Sequence, residues 1–173
     1  MPARRSNRGG WAKKFTDPDG VVWDSPLEWY VYTGLQDLGY SVRRCDERDA
    51  ISYHTPVKQG RCLECGSSGT VQDRIYTPDL HVVEPQSKKR GLTRRAFIVE
   101  CKGRFPQDRR SMLRCVKEQH PSLDLRFLFG SEKKLTPKRT NVEYVRSMIK
   151  CPAGVWVPGK DIKWRYPNGY KQP

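Results

Sequence analysis

The sequence predicts an α/β fold, a small mixed β-sheet flanked by helices. Two short β-rich runs bounded by breakers, Leu80 to Val83 and Phe97 to Lys102, read as strands. A marked helix start stands at Ser25-Pro26, and a second apolar helical stripe follows Gly103. At 173 residues the chain has the size of one domain with appendages, divided here into 1–15, 16–150 and 151–173.

Residues 1–15 carry Arg4, Arg5, Arg8, Lys13 and Lys14 among Ser, Asn and Gly, without periodicity. They are expected to form a disordered basic arm that touches phosphates whatever the base sequence. Asp17-Pro18-Asp19-Gly20 is a turn before the apolar Val21-Val22-Trp23. Ser25 then fits an N-cap, Pro26 the first helical position, and Glu28 completes a capping box. Leu27, Tyr30, Val31, Leu35 and Leu38 follow at helical spacing, and Gly39 ends the element. Glu28 therefore has a structural reason to be present; a third metal-site carboxylate is the alternative.

Tyr40 to Arg44 reads as a strand, and two extended segments, Ala50 to Val57 and Val71 to Tyr76, flank an insertion at 58–70. The insertion holds Cys62-Leu63-Glu64-Cys65-Gly66, whose spacing lets both thiolates reach one tetrahedral zinc ion. Cys45 and His54, or the same pair from a second copy, are candidates to complete the four ligands. Two reduced thiols in a Gly/Ser hairpin are the competing reading.

Glu84 to Arg95 is a basic connection with Lys88, Lys89, Arg90, Arg94 and Arg95, either a phosphate guide or a solvated hairpin tip. Asp108 to His120 forms a second helix with Met112, Leu113 and Val116 on its apolar stripe and Arg110, Arg114 and Lys117 on another face. His120, at the helix end, is read as a cap or as a catalytic group. Leu123 to Phe129 alternates as a strand with Phe127 and Phe129 in the core, and Thr140 with Glu143 opens a third helix. From Cys151 onward the tail reads as irregular, its aromatics and bases either fastening it to the body or stacking on unpaired nucleotides.

The chemistry is suggested by two features together. A net charge of +14 and a pI near 9.7 call for a polyanionic partner, and nucleic acid is the one expected. No apolar run approaches membrane-spanning length, and the amino terminus lacks the apolar core of a signal peptide. Six cysteines without an export signal point to thiols or metal ligands in a reducing compartment. Asp79 opens one strand while Glu100 and Lys102 share a face of the next, so all three can converge at one sheet edge. Two carboxylates that hold a hard cation, with an amine beside them, make a metal-dependent phosphodiesterase. Taken singly, Asp79 after Pro78 is ordinary turn chemistry, and Glu-x-Lys is an ordinary solvated strand face.

These residues resemble the bacteriophage endonuclease I family, the Holliday-junction resolvases of the Pro-Asp…(Asp/Glu)-x-Lys nuclease superfamily. Ser25-Pro26-Leu27-Glu28 is similar to the family's Ser-Gly-Leu-Glu, and Tyr76-Thr77-Pro78-Asp79-Leu80 to its Tyr-Thr-Pro-Asp-Phe. Val99-Glu100-Cys101-Lys102-Gly103 is similar to Val-Glu-Thr-Lys-Gly, and Glu118-Gln119-His120-Pro121-Ser122-Leu123-Asp124-Leu125-Arg126 to Glu-Gln-His-Pro-Glu-Leu-Asp-Ile-Arg. The likeness covers residues 24–45 and 76–130, and the insertion at 58–70 and the tail beyond Met148 depart from it.

The resemblance implies a restriction-endonuclease-like core in an intertwined, element-exchanged homodimer with an extended bridge. It implies catalytic Glu28, Asp79, Glu100 and Lys102. Asp79 and Glu100, the Cys101 carbonyl and Glu28 would hold Mg²⁺ or Mn²⁺, two ions per site, with Glu28 supplied by the partner subunit. The implied substrate is branched DNA such as four-way junctions, cut to 5′-phosphate and 3′-hydroxyl ends in the cytoplasm of a phage's bacterial host. The readings it stands against are a transposase-partner or restriction-like nuclease on linear duplex and a non-catalytic, zinc-stapled nucleic-acid-binding protein.

Overall fold

The computed structural model describes residues 13–61, 68–85 and 95–170. In chain order these form β1 (Phe15–Thr16), β2 (Val22–Trp23), α1 (Pro26–Asp37), β3 (Ser41–Arg44), β4 (Ile51–Arg61) and β5 (Ser68–Tyr76). There follow β6 (Leu80–Val83), β7 (Ala96–Lys102), α2 (Gln107–Gln119), β8 (Leu125–Phe129), β9 (Lys134–Thr136) and β10 (Arg139–Thr140). A short α3 (Asn141–Tyr144) runs into a π-helical turn over Val145–Ile149, and β11 (Ala153–Val155) closes the fold.

The helices begin where local chemistry dictates. Ser25 is extended and caps α1 by accepting the Glu28 amide on its hydroxyl at 3.3 Å, while Pro26 occupies the first turn, where a missing N–H costs nothing. Gly39 ends α1 at φ +86, a left-handed conformation that turns its own amide and that of Tyr40 back to the carbonyls of Gln36 and Leu35. Thr140 and Glu143 form the reciprocal capping box at the start of α3. The helix expected to run on from there keeps α geometry only to Tyr144.

Five strands make one mixed sheet in the order β11-β8-β7-β6-β3. β7, β8 and β11 are parallel, and β6 runs antiparallel to β7 and β3. Every residue of β8 is buried, as expected of a parallel strand covered on both faces. Leu125, Phe127 and Phe129 pack with Leu113 and Val116 of α2 and Val142 of α3. On the opposite face Leu128, Val99 and Cys101 pack with Val31 and Leu35 of α1 and with Trp156. Each fully withdrawn side chain of this size contributes about 1.5–3 kcal/mol, so the paired cores hold the sheet rigid between two helical layers.

Two departures from the sequence reading stand out. The tail read as irregular supplies β11, which pairs with the open edge of β8, and Ala153 exchanges backbone hydrogen bonds with Arg165. Ala-Gly-Val is too short for a periodic signal, and only the edge of β8 makes it a strand. Trp164 meets Phe97 edge-on at 6.0 Å, so the aromatic tail is fastened to the body. Second, β4 and β5 continue to Arg61 and from Ser68, well into the insertion, as an antiparallel ribbon separate from the main sheet. The base of that ribbon is anchored by buried Tyr53 and Tyr76.

Candidate active site

β6 and β7 build the site through their register. Leu80 pairs with Val99, so Asp79, one residue before β6, lies across from Glu100. Alternation along β7 sends Val99 and Cys101 into the core under α1 and leaves Glu100 and Lys102 on the other face, as the strand period requires. Lys102 Nζ sits 2.5 Å from Glu100 Oε1 and 3.4 Å from Asp79 Oδ2, so one ammonium touches both carboxylates. The same Asp79 oxygen accepts the backbone N–H of Cys101 at 2.7 Å. Glu100 is buried, and its second oxygen, Oε2, accepts the phenol of Tyr76 at 2.5 Å.

Glu28 joins from α1. Its Oε1 accepts the Ser25 hydroxyl at 2.9 Å, and its carboxylate feels the charges of Lys102 and Glu100. The capping box is thus modified: the Glu28 side chain bonds the Ser25 hydroxyl rather than closing on backbone. Capping and membership of the site are therefore compatible. Within one chain Glu28 lies in electrostatic reach of Asp79, Glu100 and Lys102, while its hydrogen bond goes to Ser25.

The electrostatics follow from packing acids out of water. Burial, reinforced by the Glu100 charge, pushes the Asp79 carboxyl up to about 8 against the pull of Lys102. Burial also raises Glu28, with the Ser25 hydrogen bond opposing it. For Lys102 burial works against the charge, but Glu100 and Asp79 outweigh it and hold the amine above its usual range. Burial, then the charges of Glu100 and Asp79, pushes the Tyr76 phenol well above its ordinary value, so it donates throughout the physiological range. Sequence reasoning quoted Tyr76 only as part of a motif. A hydroxylated aromatic three residues before the aspartate was the one signal for it.

Among the described residues, no group of three His, Cys, Asp or Glu side chains lies close enough together to hold a metal ion. A cation held by Asp79 and Glu100 would draw on their carboxylates, the Cys101 carbonyl and water. That all-oxygen set suits a hard cation. Of the zinc candidates, Cys62 and Cys65 lie outside the described residues. His54 bonds Asp73 through Nδ1 at 2.8 Å, and burial pushes the Cys45 thiol up to about 12.

The basic candidates divide by role. Lys13, Lys14, Arg95 and Arg114 are exposed, while Arg4, Arg5, Arg8, Lys88, Lys89, Arg90 and Arg94 lie outside the described residues. Lys117 is committed to the carbonyls of Pro121 and Leu123 at 2.9 and 2.6 Å, where it closes the end of α2. Arg110 lies over the Tyr144 ring at 5.1 Å, and Arg114 pairs with Glu118 along the helix at 3.6 Å. His120 and Gln119 hold the ribbon: His120 Nε2 meets the Ser52 carbonyl at 2.7 Å, and the Gln119 amide bonds both N–H and C=O of His54 at 2.8 Å. His120 is thus a tether from α2 to β4.

A family model described as phage endonuclease I matches residues 71–153. Over that stretch the chain is similar to the phage endonuclease I family. The match takes in Asp79, Glu100, Lys102, Tyr76 and the Gln119-His120 tether, whereas Glu28 and most of the β4–β5 ribbon precede it. No curated protein and no solved structure matches the chain. Among the described residues no helix is long and apolar enough to cross a membrane.

Proposed function

We propose that the chain is a divalent-metal-dependent endonuclease that resolves four-way and other branched DNA junctions, leaving 5′-phosphate and 3′-hydroxyl ends. The observation that carries the reading is the convergence of Asp79 and Glu100 on one cation, the Lys102 ammonium, in a chain of net charge +14 that contains a phage endonuclease I stretch. Mg²⁺ or Mn²⁺ beside these carboxylates would supply Lewis-acid polarisation of the phosphoryl oxygen and a more acidic water. Asp79 and Glu100 would hold the ion through oxygen, and the Tyr76 phenol fixes the Glu100 carboxylate that would face it. Lys102, charged at neutral pH, donates to the attacking water and orients it rather than taking its proton. Glu28, tied to Ser25, closes the acidic side of the site.

The topology supports an element-exchanged dimer. The β4–β5 ribbon separates Glu28 and β3 from Asp79 and β6 in sequence, and β3 pairs with β6 in space. Exchange of these halves across the ribbon between two copies would leave every local interaction intact and place two sites at a set separation. A dimer of that kind selects bent, branched DNA by the placement of phosphates rather than by reading bases. Zinc on Cys62 and Cys65 would stiffen the ribbon's far end. Incubating the protein with a labelled four-way junction and a matched linear duplex, with and without Mg²⁺, tests the proposal. Cleavage confined to the junction and to the Mg²⁺ samples is expected, and Lys102→Ala and Asp79→Ala should bind the junction without cutting it. Equal cutting of the duplex, or unimpaired cleavage by either variant, refutes the reading.

A further inference from the structure

The outer face of the last helical segment carries a groove that no motif in the sequence marked. Lys138 and Arg139 at β10, Arg146 on the π turn and Lys150 at its end line a cavity of about 340 Å³. One carboxylate shares it, Glu143, and that side chain is engaged in accepting the Thr140 amide at 2.8 Å. Arg146 is aimed by a hydrogen bond from its Nε to the Tyr166 carbonyl at 2.9 Å. Lys138, Arg139 and Lys150 are exposed, and among the described residues none of the four cations makes an ion pair. Four positive groups thus face one cavity that holds a single carboxylate, Glu143, whose charge acts on Arg146.

Lys150 adds a second, independent observation. It is the one non-glycine among the described residues with a positive φ, at φ 65 and ψ 36, on the site where a helix normally ends in glycine. A lysine kept in a conformation that favours glycine holds a charge at the groove against the preference of the backbone.

We propose that this groove is a phosphate-backbone site that grips one arm of the branched DNA, separate from the catalytic carboxylates on β6 and β7. It rests on the junction-resolving reading and adds to it where the substrate's arm lies. Gel-shift titration of the full chain with a labelled four-way junction in EDTA, across a range of NaCl concentrations, tests it. The triple variant Lys138→Ala, Arg139→Ala, Lys150→Gly is expected to bind about 10-fold or more weakly, with the slope of log K against log salt shallower by about 2–3, at roughly 0.9 for each phosphate no longer neutralised. Lys150→Gly alone should melt at or above the wild-type temperature yet bind several-fold more weakly, which separates the missing charge from damaged folding. Unchanged affinity and salt slope in both variants, with wild-type protein binding the junction, overturns the groove and leaves the nuclease reading standing. A wild-type protein that binds no junction overturns that reading and the groove with it.

Discussion

Replacing Tyr76 with Phe removes one oxygen from the interior and keeps the ring. The ring is 4 % exposed and its acceptor, Glu100, 3 %, so no solvent is at hand to replace the missing donor. Glu100 Oε1 keeps Lys102, but Oε2 is left as a buried carboxylate oxygen without a partner. A hydrogen bond to a charged group is worth about 1.5–3 kcal/mol, and the variant should lose stability of that order. The larger consequence is positional, because the carboxylate regains rotation about its last bond. Partners that orient metal-binding carboxylates typically cost 10–100-fold when removed, and cleavage at a fixed, sub-saturating Mg²⁺ concentration should fall by about that factor. The assay is single-turnover junction cleavage across a Mg²⁺ titration, well below the melting temperature of both proteins. Junction affinity in EDTA should be unchanged, since the phenol is buried away from any DNA. A variant whose cleavage stays within about 2-fold of wild type at every Mg²⁺ concentration would refute the claim that Tyr76 sets Glu100.

Three more outcomes follow from the same structure. A Cβ on Gly34 would run into the indole of buried Trp156, so Gly34→Ala should cost about 1–3 kcal/mol in a denaturant melt, and a variant as stable as wild type would show that the tail does not pack on α1 as described. Gln119→Ala removes both hydrogen bonds to the backbone of His54, so amide exchange along β4 near His54 should speed up while the core strands β7 and β8 stay protected; unaltered exchange would mean the tether is idle. Asp79, raised to about 8 by burial and Glu100, holds a proton in the native state that the unfolded chain releases above about pH 4. Its contribution to the stability of metal-free protein should therefore be complete below about pH 4, decline as pH rises toward 8 and be absent above that, and Asp79→Asn should flatten the profile; a wild-type profile that rises through this window would contradict the shift.

Much of this protein is local and was legible without coordinates. Ser25, Pro26, Glu28 and Gly39 specify a helix through capping and φ preferences that involve only near neighbours, and Thr140 with Glu143 does the same for α3. The strand period alone assigns Glu100 and Lys102 to one face and Cys101 to the other. Other features depend on partners distant in the chain. Ala153 to Val155 has no strand signal of its own and becomes one by pairing with β8, while the roles of Tyr76, Lys117 and His120 are set by carboxylates and carbonyls that folding brings to them. The basic groove is not legible in the sequence because its cations are split between a turn, the short strand β10, the π turn and the residue that ends it, and the left-handed backbone of Lys150 cannot be read from residue types. Short-range sterics and the two-residue strand repeat are written into the order of residues. Which buried acid meets which donor is settled only when the sheet closes, because burial and proximity across β6, β7 and α1 are properties of the packed whole.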